Sequence, residues 1–547
     1  MLSMKIHNLS QEGQLSLSDS LGVKVMDIVI IAGVSKDQGS QFSLKHDYLL
    51  TKDGVVMSYS NLRKTFGLLP PSELTCHNTP YLAGIYLYNY LSRRGVNCGL
   101  INFLDLEIKQ FEKFVRQDPK VVAISTTFLT NIRAVKKITE IIHRHAPDIK
   151  IIVGGPLVYN SYLLNCMKDT NYDIDSCKRD YFFLNSERFY YEDIDLFVVE
   201  EQGEETLWHV IDAVKNFRDY REIPNLAYYK NDRLVFTSRR PENNDFSEDL
   251  ISWDEVPEEY IYPIFPIRGS RGCPYKCKFC NFSPGRTFRL KSPDIIAQEI
   301  AALVTTGKVR MIRFTDDNLF LNQRYLEEYC RKLIKVGNGI KWTSFIRANS
   351  VTKNNVRLLR DSGCLLAQIG MESGDKNILK EMNKKDTPEN YLRVIELLNT
   401  HGISTQLYFI VGFPGETTQT IENTIALINQ FHHAGPAINE LMVFPFVLAP
   451  LSSVYSPESR REYCLEGYMT EWVHYTMNSE EAKKCAQEFL LRVNNIYPHY
   501  GIEEFFMTDI STLKRTTELR FQMRKSELLQ HSHEIINRYW QELRETV

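Results

Sequence analysis

No apolar run in the sequence approaches the ~18 residues that cross a bilayer as a helix. The longest near the start, Met26-Asp-Ile-Val-Ile-Ile-Ala-Gly33, is strand-sized. The start also lacks a basic region followed by an apolar core and a cleavage site, so the expected location is the cytoplasm. Net charge is almost missing: 65 Lys and Arg face 68 Asp and Glu, leaving −3 over 547 residues. Such a balance offers no electrostatic hold for nucleic acid or an anionic membrane, and the expected partner is a small molecule or a peptide. There is no internal repeat and no low-complexity tract. The 11 cysteines show no disulfide framework, since three are grouped and the other eight stand singly as reduced core thiols do. What remains is an ordinary globular composition, 43% apolar, long enough for two or three domains.

The grouped cysteines lie in Arg268-Gly-Ser-Arg-Gly-Cys273-Pro-Tyr-Lys-Cys277-Lys-Phe-Cys280-Asn-Phe282, a C-x3-C-x2-C spacing. Three thiolates this close call for a shared partner. A 4Fe-4S cluster takes thiolate ligands, and three of them leave one iron open to a substrate or cofactor. Structural zinc is an alternative reading, but it needs four ligands, and the next Cys and His are Cys330 and His401. Three unrelated core cysteines are the other. With Phe279 just before the last cysteine, the loop resembles the signature of the radical S-adenosylmethionine (SAM) enzymes. That resemblance implies that Cys273, Cys277 and Cys280 are the metal ligands and the catalytic centre. In the family the open iron chelates the amino and carboxylate groups of SAM, and an electron from the cluster cleaves it to a 5′-deoxyadenosyl radical.

Ahead of the loop, strand-sized apolar runs at 26–32, 98–104, 121–125, 150–153 and 196–200 alternate with helical patterns at 81–94, 108–117, 131–144 and up to about 216. The expectation is an α/β, Rossmann-like doubly wound domain over 25–219, after an irregular leader at 1–24. Ligands of such sheets sit at the strand carboxyl ends. Those ends carry Ser125, Thr126, Thr127, Gly154, Gly155 and Gly203, small residues that suit either a bulky ligand or simple turn chemistry. The runs Val122-Ala-Ile-Ser-Thr-Thr127 and Ile151-Ile-Val-Gly-Gly-Pro156 and the phrase Gly203-Glu-Glu-Thr206, placed before the cluster loop, are similar to the cobalamin-binding domain of cobalamin-dependent radical SAM enzymes. The likeness runs from about residue 80 to about 450 and implies cobalamin at these six residues. One departure concerns the lower ligand: D-x-H-x-x-G is absent, and Gly33-Val-Ser-Lys-Asp-Gln-Gly39 contains no histidine. His46 and His77 are candidate ligands, although exposed or structural roles are the favoured reading.

A linker is expected at 220–262, with a hairpin around Asn231-Asp232. Six strand and helix alternations then predict a partial (β/α)6 barrel over 263–450, with reactive groups at strand carboxyl ends. Polar or glycine clusters stand there: Thr315-Asp316-Asp317-Asn318, Arg347-Ala-Asn349, Gly370-Met-Glu372-Ser373 and Gly412-Phe-Pro-Gly415-Glu416. The resemblance implies that Asp316 and Asp317 hold the SAM amino group and that Arg347 clamps its carboxylate. By the same likeness Glu372 and Ser373 touch its ribose or methionine, Gly412 to Gly415 form the adenine turn, and Phe279 flanks the base. Residues 451–547 are read as a helical C-terminal domain with long stretches at 479–494 and 517–544.

The function so implied is a cobalamin-dependent radical SAM methyltransferase. The adenosyl radical removes a hydrogen atom, methylcobalamin gives the methyl group, and a second SAM restores it. The acceptor is an unactivated carbon, or a phosphinate phosphorus, of a natural product or peptide, and the electron donor is a protein such as flavodoxin or ferredoxin. A cyclase or rearrangement enzyme with the same cofactors is the alternative. A non-catalytic cobalamin or redox sensor is a remote one, which would have no use for the polar strand ends.

Overall fold

The computed structural model describes residues 26–33, 49–52, 55–58, 80–184, 187–244, 250–282, 287–319, 323–337, 339–431, 436–494, 496–498 and 510–546. The leader at 1–24, His46, His77 and residues 34–39 lie outside them. Among the described residues the strands form two seven-stranded sheets and three two-stranded ones. The large sheets belong to two compact units, one built on 83–159 and 186–244 with the strand at 28–31, the other on 160–185 and the chain from 250 onward.

The first unit is organised by β1 (Ile28–Ile31), four β-branched residues that are fully buried, as a central strand covered on both faces must be. β2 (Cys98–Ile101) and β3 (Val121–Ser125) flank it in parallel, and β4 (Lys150–Gly154) and β5 (Leu196–Val198) follow, giving the order β2-β1-β3-β4-β5. That order reverses beside β1, so the crevice at the carboxyl ends of β1 and β3 is the switch point at which such sheets bind ligands. Helix Ile132–His145 shows how the sequence builds the cover: Asn131 caps it by accepting from Ala134 N, and Ile132, Val135, Ile138 and Ile142 are buried at helical spacing. The expected hairpin forms as β6 (Leu226–Lys230) and β7 (Arg233–Phe236), turning through Asn231 and Asp232 at φ 51° and 58°. It lies inside the span expected as a linker, and it continues the first sheet, antiparallel to β5. Helix Pro156–Cys166, absent from the sequence reading, mixes Asn160, Ser161 and Asn165 with its apolar residues and shows no amphipathic 3.6-residue pattern.

The second unit carries seven parallel strands in chain order: β8 (Ile264–Ile267), β9 (Met311–Phe314), β10 (Lys341–Phe345), β11 (Cys364–Glu372), β12 (Ser404–Val411), β13 (Asn439–Pro445) and β14 (Tyr497–Pro498). The intervening helices begin where caps are written: Ser292-Pro, Thr387-Pro and the Thr417 capping box. On the outer face Phe314 meets Tyr329, and Phe409 meets Phe489 of helix Ser479–Arg492. The inner face is closed at the strands' amino ends by Ile264, Met311, Leu366 and Ile438 packed with Leu513. The region 451–547 carries helices as expected, together with a hairpin (Glu466–Tyr468 with Glu471–Val473) and β14. One expectation there is corrected. The stretch 517–544 is two helices, Ile510–Leu528 and His533–Thr546, reversing at Gln530 with φ 55°. Their apolar stripes meet as Leu519 and Met523 against Trp540 and Leu543, so one periodic pattern served two elements.

Candidate active site

The cysteine loop is held by its own backbone. Lys278 N donates to Met382 O at 2.9 Å, Lys278 O accepts from Val454 N at 3.0 Å, and Asn383 Nδ2 donates to Lys276 O at 2.6 Å. Cys280 N donates to Cys277 O at 3.1 Å, closing a turn that brings the thiols within electrostatic reach of one another. Burial pushes Cys280 up to about 11 and also raises Cys273, with Cys277 and Asp317 adding to it. These thiols therefore need a positive partner to ionise at neutral pH, and a metal supplies one. Among the described residues no three His, Cys, Asp or Glu side chains converge so as to hold a single ion. A four-iron cube takes its thiolates on separate irons, so the loop fits a cluster better than a zinc ion.

The two aspartates at the end of β9 differ. Asp316 is buried, and its carboxylate accepts from Gly269 N at 2.9 Å, from Ser270 Oγ at 2.7 Å and from Ser270 N. Burial pushes its carboxyl up to about 6 against the pull of those donors. Its oxygens pin the start of the cysteine loop, where the expectation was that both aspartates hold the SAM amino group. Asp317 is exposed and acts on Cys273 and Cys280, which leaves it as the candidate for an amino group. Beside it Asn318 is 2% exposed, and neither amide atom has a partner among the described residues.

Arg347, past the end of β10, stacks on Tyr275 at 3.7 Å, donates to Lys384 O and lies in electrostatic range of Cys273. Its Nε is buried with no hydrogen-bond partner among the described residues, an opening that a carboxylate fits. Glu372 ends β11 at φ 66° and pairs with Lys384 at 2.7 Å. The pair folds across Gly370, where an added Cβ would stand 2.3 Å from Glu372 Oε1. Lys384 Nζ lies 6.0 Å from the Phe279 ring and thus joins three predicted residues, yet nothing in the sequence marked it. Ser373 is fully buried, its hydroxyl 3.3 Å from Thr424 Oγ1 and accepting from Asp375 N at 3.1 Å. Its hydroxyl is thus engaged within the protein, where the expectation was a contact with the ribose or methionine of SAM.

The expected adenine turn is shaped from beneath. Gly412, at φ 94°, has Trp472 so close that an added Cβ would lie 2.6 Å from its ring, so this glycine answers to packing. Gly415, also at φ 94°, faces Tyr475, whose hydroxyl would lie 3.0 Å from such a Cβ. Glu416 turns back to accept from Gly412 N at 2.5 Å, and burial pushes its carboxyl up to about 8. His474 stacks on Trp472 at 5.0 Å and bridges Gly412 O (Nε2, 2.9 Å) and Thr476 N (Nδ1, 3.3 Å). A ring that accepts at Nδ1 must be neutral there, and burial lowers its pKa below 6.5. The unfolded histidine therefore binds a proton first as pH falls, so stability from this ring is complete above about 6.5 and is lost below it. The melting temperature of the wild type should fall more steeply between pH 7 and 5.5 than that of His474→Gln; parallel curves would refute the assignment.

In the first unit, Ser125 and Gly154 end paired strands, and Ser125 Oγ lies 3.0 Å from Thr127 Oγ1. Thr126 is buried between strand ends, donating to Gly154 O at 2.9 Å and accepting from Leu157 N at 3.1 Å. A Cβ on Gly155 (φ 103°) would meet Thr126 Oγ1 at 3.0 Å, so Thr126 and Gly155 build the crevice, whereas Thr127 is exposed on it. Gly203, at φ 81°, precedes helix Glu204–Lys215.

Two family models match the chain: the B12 binding domain at residues 79–170 and the Radical SAM superfamily at residues 267–428. The chain carries a B12-binding domain and a radical SAM domain. The B12-binding match spans β2 to β4, and the radical SAM match runs from the end of β8 to helix Thr418–Ile428. An uncharacterised methyltransferase of Pyrococcus horikoshii is 25% identical over 73% of this chain and 85% of its own length. The anaerobic magnesium-protoporphyrin IX monomethyl ester cyclase of Rubrivivax gelatinosus is 28% identical over 43% of this chain and 45% of its own length. The bacteriochlorophyllide d C-12(1)-methyltransferase of Chlorobaculum tepidum is 33% identical over 33% of this chain and 41% of its own length. The chain thus spans less than half of the latter two relatives. In fold it is similar to the cobalamin-dependent SAM radical enzyme OxsB (TM-score 0.60, 15% identity, 95% of this chain and 75% of that one). It is also similar to the radical SAM methyltransferase TsrM of Kitasatospora setae (TM-score 0.54, 15% identity, 79% of this chain and 75% of that one). Among the described residues no helix is long and apolar enough to cross a membrane.

Proposed function

We propose that this B12-binding radical SAM protein is a methyltransferase acting on an unactivated centre of a small molecule or peptide. The observation that carries the proposal is the presence, in one chain, of a B12 binding domain and a radical SAM domain whose three-thiol loop leaves one cluster iron without a protein ligand. Cys273, Cys277 and Cys280 hold a 4Fe-4S cluster in the domain at 263–450, and Ser125, Thr127, Gly154, Gly155 and Gly203 border cobalamin in the domain at 25–219. Bound there, the cluster supplies the electron that cleaves SAM, and cobalamin supplies the methyl group. Asp317 receives the SAM amino group, Arg347 its carboxylate, and the Gly412 to Gly415 turn its base, while Glu372 and Lys384 hold each other and the Phe279 side in place. Held by these residues, the sulfonium would stand near the thiols, which is the positioning part of catalysis. A one-electron donor such as flavodoxin or ferredoxin and a cytoplasmic setting complete the reading.

Similarity to magnesium-protoporphyrin ester cyclases favours a second reading, radical rearrangement without methyl transfer. Methyl-labelled SAM separates the two in anaerobically reconstituted protein with a chemical reductant and a metabolite extract. Label in a product together with 5′-deoxyadenosine is the expected result. Release of 5′-deoxyadenosine with no labelled product selects the cyclase reading, and absence of 5′-deoxyadenosine rejects both.

A further inference from the structure

Among the described residues of the second unit, Arg313 is a charged side chain with no role in the fold or in the site described. It lies in β9, in register with Pro266 of β8 and Thr343 of β10. Its neighbour Phe314 points to the outer face, edge-on to Tyr329 and Trp342, so the alternation of a strand turns Arg313 inward. The inner face is not filled: along β12, Tyr408 and Ile410 keep accessible surface while Leu407, Phe409 and Val411 are buried. Arg313 is half-buried there, and its side chain makes no hydrogen bond or ion pair among the described residues. Its charge acts on Tyr408. Glu440, on the same face, is reached by Gln406 Nε2 at 3.5 Å rather than by Arg313.

A guanidinium stays charged at any physiological pH, and withdrawing it from bulk water without a counter-ion costs free energy. Opposite it stands a set of neutral groups already bonded to one another. Gln368 Nε2 donates to Gln406 Oε1 at 2.6 Å and to Tyr408 Oη at 2.8 Å, and Tyr408 donates to Gln406 Oε1 at 2.5 Å. One atom of the set is unused. Gln368 is 2% exposed, and its Oε1 has no partner among the described residues. A buried acceptor left open loses its hydration without replacement, and a structural network would close it.

We propose that this inner face selects the methyl acceptor by an oxyanion, carboxylate or phosphate, paired with Arg313, and by a hydrogen-bond donor presented to Gln368 Oε1. The inference rests on the methyltransferase reading and names the chemical class of its substrate. Arg313 is a specificity-determining residue, since its planar fork matches an oxyanion in two places.

The test uses the reconstituted holoenzyme saturated with SAM and without reductant, so that the carboxylate site at Arg347 is filled. Inorganic phosphate and glutarate are titrated calorimetrically into the wild type, Arg313→Met and Arg313→Lys. One of the two probes should bind the wild type, with at least tenfold weaker binding to Arg313→Met and a smaller loss in Arg313→Lys; which probe binds tells phosphate from carboxylate. Binding of neither probe, or equal binding to wild type and Arg313→Met, overturns the inference. A parallel assay with chemical reductant and no acceptor measures 5′-deoxyadenosine. Equal release from wild type and Arg313→Met shows that the variant is folded and the radical centre intact, whereas no release from the wild type rejects the functional reading itself.

Discussion

Cys277→Ala should yield a protein that binds cobalamin yet assembles no 4Fe-4S cluster and releases no 5′-deoxyadenosine. The loss should be complete rather than graded, because a cube held at two corners has lost one of only three protein ligands. The loop itself should survive. Its hydrogen bonds to Met382, Asn383 and Val454 use backbone atoms of Lys276 and Lys278 and do not involve the Cys277 side chain. Cobalamin binding persists because the B12-binding match at residues 79–170 includes none of this loop. Anaerobic reconstitution followed by iron and sulfide analysis, visible absorption and product assay checks all three statements. Cluster absorption or SAM cleavage by the variant would remove the assignment of these thiols.

Arg347→Met should weaken SAM binding roughly tenfold to a hundredfold while leaving the cluster's iron content unchanged. One charge-assisted hydrogen bond contributes about 1.5–3 kcal/mol, and about 1.4 kcal/mol is a factor of ten. The structural ground is the orientation of the side chain. Tyr275 holds one face of the guanidinium at 3.7 Å, Lys384 O takes one nitrogen, and the buried Nε is left for a ligand. Arg347→Lys should rescue poorly, since an ammonium can neither stack on the ring nor present a planar fork. Asp316→Asn is the contrasting variant: its oxygens bind Gly269 and Ser270, so its effect should fall on stability and cluster assembly before SAM affinity. Equilibrium binding of SAM to the reconstituted proteins decides the matter. Wild-type affinity in Arg347→Met would move the carboxylate elsewhere.

Element positions were largely legible because their signals are local. Helices Pro293–Thr305, Gln323–Val336 and Pro388–Thr400 and strands Val121–Ser125 and Ser404–Val411 stand where periodicity and caps place them. Helix Pro156–Cys166 was missed because Asn160, Ser161 and Asn165 are scattered among its apolar residues and leave no hydrophobic period to read. The break at Gln530 was missed because no glycine or proline marks it, and only the packing of Trp540 on Met523 requires the reversal. The candidate site divides in the same way. Asp316 and Asp317 are indistinguishable as neighbours in sequence, and they part only when folding brings the Gly269 and Ser270 backbone against one of them. At Ser373 and Gly412 the sequence shows only small residues at strand ends, which suit ligands and packing equally, and the contacts they make with Thr424 and Trp472, distant in sequence, appear only in the fold.

By itself the sequence determined that three thiols are spaced as ligands of one partner are, that a parallel sheet precedes them and that a second parallel sheet follows, because ligand spacing and strand and helix periods are properties of contiguous residues. Only the tertiary structure decided which polar strand-end residues remain available to a ligand, since availability depends on what distant segments have already bonded. Lys384 against Glu372, His474 beneath Gly412 and Arg313 within electrostatic range of Tyr408 exist as relationships between strands and loops, and no single stretch of chain encodes them.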